Sequence, residues 1–511
     1  MIEQLALLPE LLTAHLQLTL LALLVGTAVS IPAGVLVTRV RWLDQPVLGL
    51  ASVIQTVPSL ALLAVMVPLL AALGFRSIGF FPAFIGLVLY SILPILRNTV
   101  SGLATVDPAL IEAARGVGMT PGQRLRRVEL PLALPVIFAG LRTATVLTVG
   151  VATLSTPVGA PSLGNYIFSG LQTRNLTAVL VGCVAAAALA LLLDGLVRAL
   201  GVAVLRQRRG WTAAVLTMFG LLYGYTGASL VRDGRAWDRG RIAVGAKTFT
   251  EQYILSDILA RQIGEATGIR VDVVSSLGST VAFDALRAGE IDAYVDYSGT
   301  IWATIMRRDT VPQARGDVLT EVRRFLSEQH GIELVGALGF ENAYALAMRR
   351  RQAEASGIGR ISELAPYAPR MVIGGDYEFF ARPEWEALRR IYGLAFQGQR
   401  SMDSSLMYQA AANGDVDVIS AFSTDGRLAA FDLVVLEDER GAIPPYDAVI
   451  LAGARLIQEH PAAIAALRQL EGQIDADRMR RMNLMVDQQG ASPASVADAF
   501  LRDFRSSALR R

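Results

Sequence analysis

The chain has 511 residues, is 53% hydrophobic and 18% charged, and carries a formal net charge of only +2. That average conceals two materials: residues 1–240 hold 17 Arg against 9 acids, net +8, and residues 241–511 hold 30 Lys and Arg against 36 acids, net −6. All the basic residues of the first part except Arg142 sit at the ends of apolar runs or between them, which speaks against nucleic acid as a partner, and the lone cysteine, Cys183, excludes internal disulfides and Cys-based metal sites.

Apolar runs occur at about 16–37, 48–74, 79–96, 132–155, 176–197 and 211–231. Each is near the roughly 20 residues that cross a bilayer core as a helix, so six transmembrane helices are expected. Arg-rich and Arg-poor connections alternate: Arg39 and Arg41, then Arg76, then Arg97 to Arg127, then Arg174, then the cluster Arg198, Arg206, Arg208 and Arg209. Because basic residues resist translocation, this alternation predicts an N-terminus outside the cytoplasm and an exit to the outside after the sixth span. Glu3 and Glu10 before the first run agree with that orientation, and the lack of any basic residue before Arg39 argues against a cleavable signal peptide. Pro58, Pro68, Pro94 and Pro135 interrupt the runs. The turn-rich outside stretch 156–168 reads as a re-entrant or surface segment.

The longest inside loop runs Asp107-Pro-Ala-Leu-Ile-Glu-Ala-Ala-Arg-Gly-Val-Gly118, then Met-Thr-Pro-Gly, and ends Arg-Val-Glu-Leu-Pro131. Asp107 before Pro108 is a helix start, Gly116 and Gly118 are a stop, and Thr120-Pro-Gly opens a second helix. Glu112-Ala113-Ala114, Gly118 after three further residues, and Leu130-Pro131 resemble the "EAA" loop of permeases of the ATP-binding-cassette (ABC) importers. The resemblance implies that 107–131 couples the pore to a cytoplasmic ATPase through Glu112, Ala113 and Gly118. That ATPase is expected to be a separate chain, since Lys247 is the only lysine and stands in no Walker A sequence.

Beyond the sixth run and the polar tract 232–240 the pattern changes. Strands are expected at Arg241–Gly245, Ile269–Val274 and Ile291–Tyr297 with helices between them, and again at Arg370–Gly374 and Val416–Ala421 around helices Pro383–Tyr392 and Ser404–Ala412. Such β-α-β alternation predicts parallel sheets in two doubly wound lobes with a ligand between them at the carboxyl ends of the strands. Lobe 1 is expected at about 241–342 and 446–511, and lobe 2 at about 343–445, with crossings near 340–347 and 434–449.

Seven stretches at those strand ends resemble the binding proteins of glycine betaine, carnitine and choline importers: Gly245-Ala-Lys-Thr-Phe-Thr-Glu-Gln252, Leu277-Gly-Ser-Thr280, Asp296-Tyr-Ser-Gly-Thr300, Asn342-Ala-Tyr-Ala-Leu346, Glu378-Phe-Phe-Ala-Arg382, Ser423-Thr-Asp-Gly426 and Pro444-Pro-Tyr446. The resemblance implies an aromatic box of Tyr297, Tyr344, Phe422 and Tyr446 for a quaternary ammonium group, which donates no hydrogen bond and is held by ring faces. Phe422 departs from the family's tyrosine. The resemblance also implies that Lys247, Thr300 and Arg382 hold the ligand's carboxylate. Lys247 stands out unaided, as the single lysine beside 46 arginines. Asp296 and Gln252 lie within reach of the ligand without an assigned role, and Trp302 and Tyr377 read as packing.

The expected molecule is therefore a membrane all-α permease of six transmembrane helices (1–210, with the sixth helix and linker at 211–240), followed by an α/β two-lobed periplasmic-binding-protein domain (241–511). It resembles an importer subunit in a bacterial inner membrane, taking up a small zwitterionic quaternary amine. Expected partners are a cytoplasmic ATPase, a second copy of the chain and membrane lipid; no cofactor or metal is expected. Ergothioneine or an amino acid of the methionine type are rival cargoes, and a membrane-anchored ligand sensor is the rival of another class. The three scattered histidines and the lack of a nucleophile–base pair argue against an enzyme.

Overall fold

The computed structural model describes residues 7–173, 175–237, 241–308 and 315–508. Arg174 and the linker residues 238–240 lie outside them. The chain divides into two compact units: residues 1–168 with 177–239, and residues 240–511 with 169–176.

In the first unit five helices are long and apolar enough to cross a membrane: Leu8–Arg39, Phe80–Ala104, Pro121–Val158, Leu176–Leu205 and Arg209–Arg232. The run expected at 48–74 is not a straight span. Trp42–Thr56 and Ser59–Ala72 meet at a bend of 100°, and only if this pair counts as one crossing does the total reach six. The cause is Pro58, whose ring pushes the preceding residue out of the helical region. Val57 is accordingly extended (φ −66°, ψ 128°), and its freed carbonyl accepts from the Tyr90 hydroxyl.

The 107–131 loop also departs from expectation. Asp107 caps the helix Pro108–Gly116 through Ala109 N–H (2.8 Å). Gly118 turns the chain at φ +79°, a conformation that costs a side-chain-bearing residue about 1–2 kcal/mol. Thr120 and Gln123 then form a reciprocal capping box. From Pro121 the helix continues without a break into the span, so Leu130-Pro131 lies inside a helix and not at the end of a loop. A wide turn at Leu125–Glu129 bonds Leu130 N–H to the Leu125 carbonyl. It makes room for Pro131, which has no N–H to give. Glu129, in that turn, is buried and receives Arg124 Nε (2.6 Å) and Arg39 from the end of the first helix. Glu112, Ala113 and Gly118 are exposed while Ala114 is buried. Two charges within expected spans, Arg142 and Asp194, answer each other in a two-pronged pair at 2.8 Å.

The second unit holds two five-stranded sheets. Its strands are β1 (Ile242–Lys247), β2 (Val271–Leu277), β3 (Ala293–Tyr297), β4 (Glu333–Glu341), β5 (Tyr344–Arg349), β6 (Val372–Gly375), β7 (Gly398–Ser401), β8 (Val418–Phe422), β9 (Leu433–Val435) and β10 (Asp447–Ala452). The sheet orders are β2-β1-β3-β10-β4 and β7-β6-β8-β5-β9. Consecutive β-α-β strands are parallel, as expected: β1 with β2 and β3, and β6 with β7 and β8. The sheets are nonetheless mixed. β10 runs antiparallel between β3 and β4, and β5 runs antiparallel between β8 and β9. These two strands are where the chain enters one sheet from the other, so they are laid down from the opposite end. Their first residues therefore lie beside the last residues of the parallel strands, and both crossovers open on one place.

Candidate functional site

That place collects the named side chains. Lys247 ends β1, Tyr297 ends β3, Phe422 ends β8, Tyr344 opens β5 and Tyr446 immediately precedes β10. Ser298 fastens the last of these: its hydroxyl donates to the Pro445 carbonyl (3.0 Å) and accepts from Asp447 N–H (2.9 Å). Gly299 follows, and its backbone approaches the Tyr446 ring so closely that an added Cβ would stand 2.6 Å from it.

Tyr344 is the centre of the ring cluster. Its ring centroid lies 5.0 Å from Phe422, 5.3 Å from Phe379 and 6.1 Å, edge to face, from Tyr446. The Arg382 guanidinium lies over two of these rings, 5.1 Å from Tyr344 and 5.9 Å from Tyr446. Phe249, to which the sequence assigned no role, joins the rest: it stacks on Phe422 and on Tyr297, at 6.1 Å each. Lys247 Nζ completes the chain 5.5 Å from the Tyr297 centroid. Thr300 is buried one residue beyond Gly299. Trp302 is buried, as a packing residue should be, but Tyr377 is 70% exposed and packs nothing of this kind.

Both cations already have buried carboxylate partners. Lys247 Nζ pairs with Asp296 Oδ1 at 2.5 Å, and Asp296 also accepts from Tyr294 OH (2.5 Å) and Tyr297 N–H (2.7 Å). Arg382 reaches Glu384 through Nε (3.3 Å) and Nη2 (3.2 Å), and Nη2 also donates to Tyr446 OH (2.9 Å), which in turn donates to Glu384. A ligand carboxylate here would share these cations with the protein's own acids. Gln252 Nε2 donates to Tyr297 OH (3.0 Å). Tyr344 OH faces Asp376 (3.5 Å), which is itself anchored by Glu378 and Phe379 N–H. Burial pushes the hydroxyls of Tyr297, Tyr344 and Tyr446 well above the usual tyrosine value, so they stay neutral. Among the described residues no group of His, Cys, Asp and Glu could hold a metal ion.

Such a surface suits a diffuse cation: ring faces to attract it and no base poised against a nucleophile. Residues 240–503 match the substrate binding domain of the ABC-type glycine betaine transport system, and residues 26–209 match the binding-protein-dependent transport system inner membrane component. Over 469 residues the chain is 30% identical to the ergothioneine transport permease/ergothioneine binding protein EgtU of Helicobacter pylori, covering 89% of this chain and 82% of that one. The chain belongs to this family of ABC importers. It is a permease fused to a substrate-binding domain, a transport component and not an enzyme, and a separate subunit hydrolyses ATP. The permease half is also 42% identical over 202 residues to the osmoprotectant import permease OsmW of Salmonella typhimurium (40% of this chain, 94% of that one). The binding half is 28% identical over 265 residues to the carnitine transport binding protein OpuCC of Listeria monocytogenes (51% and 86%). As an ABC permease the importer is a multi-pass membrane protein whose pore is dimeric and whose cargo is small.

Proposed function

We propose that this importer subunit takes up glycine betaine or a related quaternary-ammonium compound such as carnitine or choline. The observation that carries the reading is the Arg382 guanidinium lying over Tyr344 and Tyr446: those faces already receive a delocalised cation of the protein's own. Tyr297, Tyr344, Phe422 and Tyr446 are the box for the ammonium group. Lys247, Thr300 and Arg382 hold the carboxylate of a zwitterionic cargo, which competes with Asp296 for Lys247 and with Glu384 for Arg382. Lobe 1 comprises about 241–342 and 446–511 and lobe 2 about 343–445, and the two sheets support that division.

The binding domain and the N-terminus lie outside the cytoplasm of a bacterial inner membrane, among lipid. This orientation requires an even number of crossings, and so requires the bent pair Trp42–Thr56 and Ser59–Ala72 to act as one. The pore pairs two copies of this chain. The exposed helix carrying Glu112 and Ala113, with the turn at Gly118, meets the ATPase, and its hydrolysis cycle alternates access to the pore.

Titration calorimetry of the purified chain with glycine betaine, carnitine, choline and ergothioneine tests the reading. Tyr446→Ala is expected to abolish binding of trimethylammonium ligands. Lys247→Ala is expected to weaken carboxylated ligands far more than choline. Normal binding by both variants would refute the site. Ergothioneine import is the second reading, favoured by a relative of that name that matches both halves of the chain. Tight binding of ergothioneine with none of the other three would establish it.

A further inference from the structure

Glu251 is 2% exposed and lies in the first turn of the helix Thr250–Thr267. Among the described residues no arginine or lysine pairs with it, yet it takes four hydrogen bonds. Oε1 accepts from Tyr297 OH (2.5 Å) and Asn342 Nδ2 (2.9 Å). Oε2 accepts from Thr424 Oγ1 (2.6 Å) and Asn483 Nδ2 (3.3 Å). These donors come from four different places. Tyr297 ends β3 in the first sheet, and Asn342 sits in the crossover between β4 and β5. Thr424 follows β8 in the second sheet, and Asn483 lies on the helix Ala476–Asp487. Asn342 N–H also holds the Tyr446 carbonyl in the returning crossover (3.0 Å).

A buried carboxylate without a cation is costly, and each neutral donor it collects offsets part of that cost. The helix N-terminus offsets a further part. Only one of the four donors, Thr424, belongs to the second lobe. Separating the lobes would take that donor away and leave Oε2 with the weakest of the four bonds. We infer that Glu251 is a positioning residue that latches the two lobes together: closure delivers Thr424 to one oxygen while the other oxygen fixes the Tyr297 hydroxyl and, with it, the ring facing Lys247. Closing the domain and orienting that ring are then one event. The inference needs two lobes that open and close and holds whatever the cargo proves to be.

The test is the distance between spin labels on the full chain in lipid nanodiscs, without ligand. Exposed Glu328 and Arg390 are replaced by labelled cysteines in a Cys183→Ser background, since the native thiol is exposed. Thr424→Val keeps the shape and removes the donor. A hydrogen bond to a charged acceptor is worth about tenfold to a hundredfold in an equilibrium, so Thr424→Val is expected to raise the open-to-closed ratio at least about tenfold. Glu251→Gln is expected to do the same, and the double variant is expected to open the lobes no further than Glu251→Gln alone. An unchanged distance distribution in Thr424→Val overturns the latch, even if its melting temperature falls. Additive opening in the double variant overturns it as well. Should Glu251→Gln fail to fold, Thr424→Val alone still decides.

Discussion

Gly299→Ala is the most direct test of whether the Tyr446 ring is held where the site needs it. The added methyl would stand 2.6 Å from Tyr446 Cε2 and 2.7 Å from both Cδ2 and Cζ. Ordinary carbon–carbon contact begins near ~3.5 Å, so the ring must retreat by close to ~1 Å. It has little freedom to do so. Tyr446 is 2% exposed, its edge meets Tyr344, and its hydroxyl is tied to both Arg382 and Glu384. Overpacking of this kind costs about 1–3 kcal/mol. For a unit of this size each kcal/mol lowers the melting temperature by about 2–4 °C. The displaced ring also leaves its cation-facing position, worth about 0.5–2 kcal/mol in a desolvated site, so affinity for a trimethylammonium ligand should fall roughly threefold to thirtyfold. Thermal melting and calorimetry on residues 240–511 read the two effects separately. Wild-type melting together with wild-type affinity would show that the ring is free to move, and the box would lose its fourth wall.

Three further outcomes are expected. Phe249→Leu keeps apolar bulk but removes two stacked contacts, about 1–3 kcal/mol in all, and should weaken quaternary-amine binding in calorimetry without unfolding the domain. Burial pushes Asp257 up to about 6, with Arg261 opposing and Asp498 reinforcing the shift. A carboxyl raised in the folded state gives stability that is full below the unfolded value near ~4 and is lost as pH rises through about 6. Melting of the binding domain should therefore fall between pH 4 and 6 by an amount worth about 1–3 kcal/mol, and Asp257→Asn should flatten that fall; an unchanged slope would refute the assignment. Glu129→Gln leaves Arg124, whose side chain is 11% exposed, facing a neutral amide. Breaking such a buried pair costs up to about 3–5 kcal/mol, so the detergent-solubilised chain should melt lower, whereas Arg39→Lys, at a half-exposed partner, should cost much less.

Much of this molecule was legible because lipid and water impose opposite compositions. A charge-free run announces a membrane helix, and five of the six runs are unbroken long helices. The remaining run, at 48–74, is apolar enough to cross but is bent by 100°, an angle imposed at one proline that hydropathy does not register. Strand positions in the binding half were legible from apolar blocks between turn residues. Strand direction at β5 and β10 was not, since a fully buried strand looks the same read either way. The rings at the strand ends could be named only through the resemblance of the stretches that carry them to quaternary-amine binding proteins, since no periodicity or spacing marks them out. Glu251 and Glu384 could not be, because nothing in a sequence separates two buried acids from the other acids of residues 241–511. Phe249 lay inside a quoted stretch, yet only the geometry shows that it links Tyr297 to Phe422.

The late arrival of β10 has a consequence for biosynthesis. β4 borders only β10 in its sheet, so after the first four strands have emerged one of them has nothing to pair with. The second sheet, by contrast, is drawn wholly from residues 344–435. The lobe that begins first must therefore finish last, waiting for a strand made after its neighbour is complete. A chain cut short at residue 445 would hold one finished lobe and one that cannot close.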